Sequence, residues 1–83
     1  MKTATVETME NKLWTLMSER LGLEKDQIKI TDSFTDDLGV DSLDLTALIV
    51  EVEKEFGVKI SEEAAEKMHT VKSLVDYLRM QLS

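Results

Sequence analysis

The stretch "DDLGVDSLDLTALIVEVEKEFG", residues 36–57, decides how this chain folds. Its first ten residues hold four Asp, one Gly and a lone Ser. From Ser42 to Phe56 apolar residues then recur at helical spacing, until Gly57 stops the run. On a helical wheel, about 100° per residue, Leu45, Leu48, Ile49, Val52 and Phe56 share one arc, the core face. The opposite arc should be polar, yet it holds Leu43, Ala47 and Val50. Asp44, Glu51 and Glu55 border this second stripe on one side, and Thr46 and Glu53 on the other. An apolar strip rimmed by charge reads as a partner-docking surface. The plainer reading is a central helix covered all round.

Asp41 stands where an N-cap belongs, one residue before the helix. Its carboxylate is placed to accept from free backbone N–H groups of the first turn. Ser42 is then the first helical residue, beside unpaired donors and the positive end of the helix dipole. That position suits a phosphate ester on its oxygen. A Ser at a helix start, taken alone, usually signals capping and nothing more.

Outward from this stretch, the pattern predicts an all-α bundle of three longer helices and one short helix, with a long loop between the first two. Val6, Met9, Leu13, Leu16 and Met17 mark a first helix from about Thr5 to Leu21, ended by Gly22. Residues 23–41 form a long ordered loop, pinned by Ile28, Phe34 and Leu38; a connection of that length is often functional. Ser61 caps a short third helix over residues 62–67. Thr70 caps a fourth, with Val71, Leu74, Val75, Leu78 and Leu82 as its buried stripe.

At 83 residues the chain suits one small domain with a thin core and little room for a walled active site. It has no Cys, so it offers no disulfide, no thiolate metal site and no thiol of its own. No apolar run is long enough to span a bilayer, and "MKTATVETMENK" lacks a signal-peptide pattern; a cytoplasmic, self-contained monomer is expected. The net charge is -7, and residues 32–63 hold ten acids against Lys54 and Lys59. Such a field disfavours nucleic acid and anionic membranes and favours basic protein surfaces.

Other chemistries fit poorly. No G-x-S-x-G elbow surrounds Ser42, and the single His, His69, lies far off in sequence, reading as a surface or linker residue. The acidic loop is no calcium-binding EF-hand: counting from Asp32 the third position is Phe34, and from Asp36 it is Leu38, with Ala47 at the twelfth. No metal site is expected. The helical Met residues read as core filler.

Together, "DSFTDDLGVDSLDL" and "VEKEFGVKISEEAAEKMHTVKSLVDYL" resemble the acyl carrier proteins, over roughly residues 5–80 of a single domain spanning 1–83. The D-S-L core with its "DLG", "EFG", "EEA" and "TV…DYL" landmarks is specific in combination. The resemblance implies a four-helix bundle, not itself an enzyme, whose motif serine, here Ser42, carries 4'-phosphopantetheine. It implies a phosphopantetheinyl transferase that attaches the arm from coenzyme A, with a divalent metal held partly by Asp41. It further implies acyl chains that fold back between the second helix and its neighbours, and synthase and acyl-transfer enzymes with basic surfaces docking on Leu43, Asp44, Ala47, Val50, Glu51 and Glu55.

The chain also departs from the family pattern. Many fatty-acid carriers have Glu where Ala47 stands, an acid at Lys54, a Pro at Ser61 and a small residue at Glu51. The expected role is a stand-alone carrier for fatty-acid synthase-type enzymes. The alternatives are a carrier for a specialised pathway, such as polyketide or lipid-tail assembly, and an unmodified acidic adaptor. A small hydrolase using Ser42 lacks a base.

Overall fold

A computed structural model describes residues 5–82 and, within the first helix, side chains from residue 9 onward. Four α-helices follow one another: α1 (Thr5–Leu21), α2 (Ser42–Phe56), α3 (Glu62–Glu66) and α4 (Val71–Leu82). Among the described residues there is no β-strand, so the all-α architecture holds. The side chain of Val6 lies outside the described residues.

The helices form where apolar residues repeat every three to four positions. Met9, Leu13 and Met17 of α1 are buried, as are Leu48, Ile49 and Val52 of α2 and Val71, Leu74, Val75 and Leu78 of α4. Their stripes meet in one core, and Leu45 and Phe56 of α2 pack half-buried at its edge. Gly57 ends α2 in the left-handed conformation, φ +66°, which L side chains adopt at a cost, and its N–H donates to Glu53 O at 2.9 Å.

The long loop is ordered by contacts at both ends of its run. Ile28 and Phe34 are buried and Leu38 is half-buried; Val40, which the sequence did not single out, is buried as well. Trp14 Nε1 of α1 donates to Ile28 O at 2.9 Å. Phe34 N donates to His69 O at 2.9 Å and Val71 N to Asp32 O at 3.0 Å, so the loop pairs briefly with the chain entering α4. The loop also holds a 3-10 turn at Lys25–Gln27, where Glu24 N donates to the Gln27 side chain at 2.8 Å.

Three expectations need correction. The third helix stops at Glu66, because Lys67 N turns to Ala64 O at 3.1 Å, a tighter turn than an α-helix continues from. Leu82 keeps the period of the α4 stripe but is 38% exposed, since the buried row ends one turn earlier at Leu78. Met80 is no core filler: it is 69% exposed, roughly 200° around the helix from Leu78. Met9, Met17 and Met68 are buried.

Candidate functional site

The site begins with the turn that feeds α2. Ser33 N donates to Asp37 Oδ2 at 2.7 Å, Leu38 N to Ser33 O at 3.1 Å and Val40 N to Phe34 O at 2.8 Å. Gly39, at φ +68°, reverses the chain so that Val40 enters the core and Asp41 is delivered to the helix start. Asp41 then caps α2: its Oδ1 accepts from Asp44 N at 2.8 Å. Ser42 is the first residue of α2 and is exposed. The first N–H groups of a helix have no partner within it. With Asp44 N held by Asp41, the N–H groups of Ser42 and Leu43 remain as donors beside the Ser42 hydroxyl.

Ser42 also stands at the edge of a groove of about 440 Å³ between α2 and α3. Leu45, Thr46, Ile49, Val50 and Glu53 line it from α2; Ile60, Glu62, Ala65 and Glu66 line it from the linker and α3. Its surface is mainly apolar, with carboxylates at the rim. Ser61 Oγ accepts from Ala64 N at 3.1 Å and so starts α3, while Ile60, just before that cap, is buried. Ile60 and Ala65 sit at the positions of a hydrophobic staple, and that signal in "KISEEAA" was available to find the groove's far wall. Thr46, Ile60 and Ala65 were not singled out from the sequence as site residues.

The second stripe of α2 faces solvent. Leu43 is 80% and Val50 41% exposed; Ala47 is half-buried between them. Val50 also reaches the groove. The acids along the stripe are not equivalent. Glu51 pairs with Arg20 of α1 at 3.0 Å, and Glu55 with Lys12 of α1 at 3.4 Å. Lys12 Nζ further lies 5.6 Å from the centre of the Phe56 ring. Asp44 has no such pair among the described residues. His69 is exposed and does not line the groove that reaches Ser42. Among the described residues no three His, Asp or Glu side chains converge as a metal site.

A helical bundle that presents a serine at a helix start, beside a small apolar groove, defines a class of carrier domains. The model of the phosphopantetheine attachment site matches residues 11–78. The acyl carrier protein of Chlorobium phaeobacteroides is 46% identical over 70 residues, 84% of this chain and 90% of that protein. The acyl carrier protein of Chlorobium phaeovibrioides matches to the same extent. Among solved structures, an acyl carrier protein from Enterococcus faecalis aligns with a TM-score of 0.78 and 36% identity, over 94% of this chain and 99% of that one. The chain belongs to the acyl carrier protein family, whose cofactor is 4'-phosphopantetheine. The residues at the start of α2 fit that group: an exposed hydroxyl for the phosphodiester, backbone donors for its oxygens and an adjoining apolar groove. Among the described residues no helix is long and apolar enough to cross a membrane.

Proposed function

We propose that Ser42 is the attachment point of the arm and that the chain is a stand-alone carrier, without catalysis of its own, for fatty-acid synthase-type enzymes. The observation that carries this reading is the exposed position of Ser42 at the first turn of α2, on the edge of the α2–α3 groove. When bound, 4'-phosphopantetheine supplies the thiol on which acyl groups are held as thioesters, a group this Cys-free chain lacks. Ser42 offers its oxygen to the phosphoryl group of coenzyme A that becomes the arm's. An oxygen–phosphorus bond forms, the pyrophosphate bond breaks, and 3',5'-ADP departs; the transferase takes the proton. Asp41 holds the first turn in place, and its carboxylate would help to hold the divalent metal that the transferase brings.

The groove lined by Leu45, Ile49, Ile60 and Ala65 is suited to shelter the first carbons of an acyl chain. The outward stripe of Leu43, Ala47 and Val50 is the surface offered to the transferase and to acyl-transfer and synthase enzymes, with Asp44 beside it. The carrier domain of residues 5–82 acts as a cytoplasmic monomer.

The test is arm loading. The apo protein with coenzyme A, magnesium and a broad-specificity phosphopantetheinyl transferase gains one arm mass, which maps to Ser42. Ser42→Ala gains none. Loading of that variant at Ser33 or Ser61 refutes the assignment.

A second reading places the carrier in a specialised pathway, such as polyketide or lipid-tail assembly. It is favoured by the departures on the docking face: Ala47 and Lys54 in place of acids, and Glu51 engaged by Arg20.

A further inference from the structure

The outward face of α2 is polarised along its length. Around Ser42, Asp36, Asp37, Asp41 and Asp44 are all exposed, and among the described residues none of them pairs with a Lys or Arg. Farther along, the acids on the α1 side of the stripe are matched by cations, while the Glu53 carboxylate on the other side accepts, among the described residues, only from Ile60 N. Glu51 is held by Arg20 at 3.0 Å and Glu55 by Lys12 at 3.4 Å, so two α1 cations stand along the same edge. Lys54 follows Val50 by four residues and Ala47 by seven, which puts it on the apolar stripe itself. It is exposed and has no carboxylate partner among the described residues. The stripe thus runs from an unpaired carboxylate at Asp44 to an unpaired ammonium at Lys54, roughly 15 Å along the helix. That span exceeds the Debye length of about 8 Å at physiological salt, so a partner meets the two ends as separate charges.

We propose that this face selects enzymes with a two-signed docking surface: cationic residues beside the entrance that receives the arm, and a carboxylate placed to meet Lys54. The proposal rests on the reading of Ser42 as the anchor and α2 as the docking face. A uniformly basic surface sets a cation against Lys54, and like charges brought together across an interface count against a complex. It also finds Glu51 and Glu55 already paired. Lys54 is then both an attraction for the right partner and an obstacle to the wrong one.

The experiment uses the full-length holo protein and, as probe, a β-ketoacyl synthase whose docking face is uniformly basic. A set of probe variants reverses each basic residue of that face to Glu in turn. Affinities are measured at physiological ionic strength, where the two ends are screened from each other, for wild type and Lys54→Glu. Lys54→Glu should bind the basic probe about two- to fivefold more tightly than wild type does, the scale of an exposed charge pair. One reversed probe should show the opposite order and prefer wild type. Equal affinities of wild type and Lys54→Glu for every probe overturn the proposal and leave Lys54 a solvated side chain. Arm loading, read by intact mass, is run beside it on both proteins. If wild type takes no arm, the attachment reading falls and this proposal with it. If both take the arm but show no charge preference, only this proposal falls.

Discussion

The Glu53 carboxylate of α2 accepts a hydrogen bond from the backbone N–H of Ile60 at 2.8 Å. Both residues line the groove that reaches Ser42, so this contact helps to hold the chain entering α3 against α2. A hydrogen bond to a charged group contributes about 1.5–3 kcal/mol, and less where water reaches it. Glu53→Ala should lower stability by about 1–2 kcal/mol and loosen the groove. Glu53→Gln keeps an acceptor and should recover most of the loss. Urea unfolding of the three proteins checks this, and equal midpoints for Ala and Gln would show that the hydrogen bond is not what matters.

Asp41 caps α2, and the charge role proposed for it can be separated from the cap. Asn is as good an N-cap as Asp, whereas Ala leaves the first turn unsatisfied at a cost of about 1 kcal/mol. Asp41→Ala should therefore reduce both stability and the rate of arm loading. Asp41→Asn should keep stability and still load slowly, because the charge offered to the metal is gone. Normal loading by the Asn variant would assign Asp41 to capping alone.

Leu43 and Phe34 are apolar residues of opposite consequence. Leu43 is 80% exposed, so Leu43→Ala should leave the melting temperature nearly unchanged while weakening transferase binding by on the order of 2 kcal/mol if it is an interface anchor. Phe34 is fully buried, and Phe34→Ala should destabilise by about 3–5 kcal/mol. Calorimetry and loading kinetics separate the two effects. A large thermal loss for Leu43→Ala with unchanged loading would place it in the core.

The pair between Arg20 and Glu51 should matter little to folding. Both side chains are more than a third exposed, and such pairs contribute less than about 1 kcal/mol. Arg20→Gln should leave the urea midpoint close to wild type. It should also free Glu51, and binding to a uniformly basic synthase should then strengthen at low salt and converge with wild type as salt rises. A salt-independent difference would point to a structural effect of Arg20 instead.

Ala65 leaves room in the groove for a chain. Each methylene fully buried is worth at most about 0.8 kcal/mol, so lengthening the acyl group on the wild-type arm should raise the melting temperature stepwise until the groove is full. Ala65→Phe should load the arm normally and lose most of that rise. The same stepwise rise in the variant would mean that the chain lies elsewhere.

Most of the fold and the start of the site were legible because the deciding forces are local. The period of Leu48, Ile49 and Val52, the stop at Gly57 and the caps Asp41 and Ser61 act within a turn or two of chain, where sequence spacing and spatial neighbourhood coincide. The place of Ser42 at the helix start followed from them, since one residue past an N-cap is a fixed place; its reading as the attachment point came from the resemblance of the whole motif to the family. Leu43 and Val50 followed too, because an apolar residue facing away from its own helix's core stripe is a property of that helix alone. Tertiary structure decided everything that depends on which surfaces meet. Only packing of α1 along α2 brings Arg20 to Glu51 and Lys12 to Glu55, across 31 and 43 positions of chain, and so turns an evenly acidic rim into a polarised one. Only the placement of α3 supplies Ile60 and Ala65 as the second wall of the groove. Leu82 has the period of a buried residue and Met80 the character of one, yet both are exposed, because periodicity names a face while burial needs a neighbour to cover it.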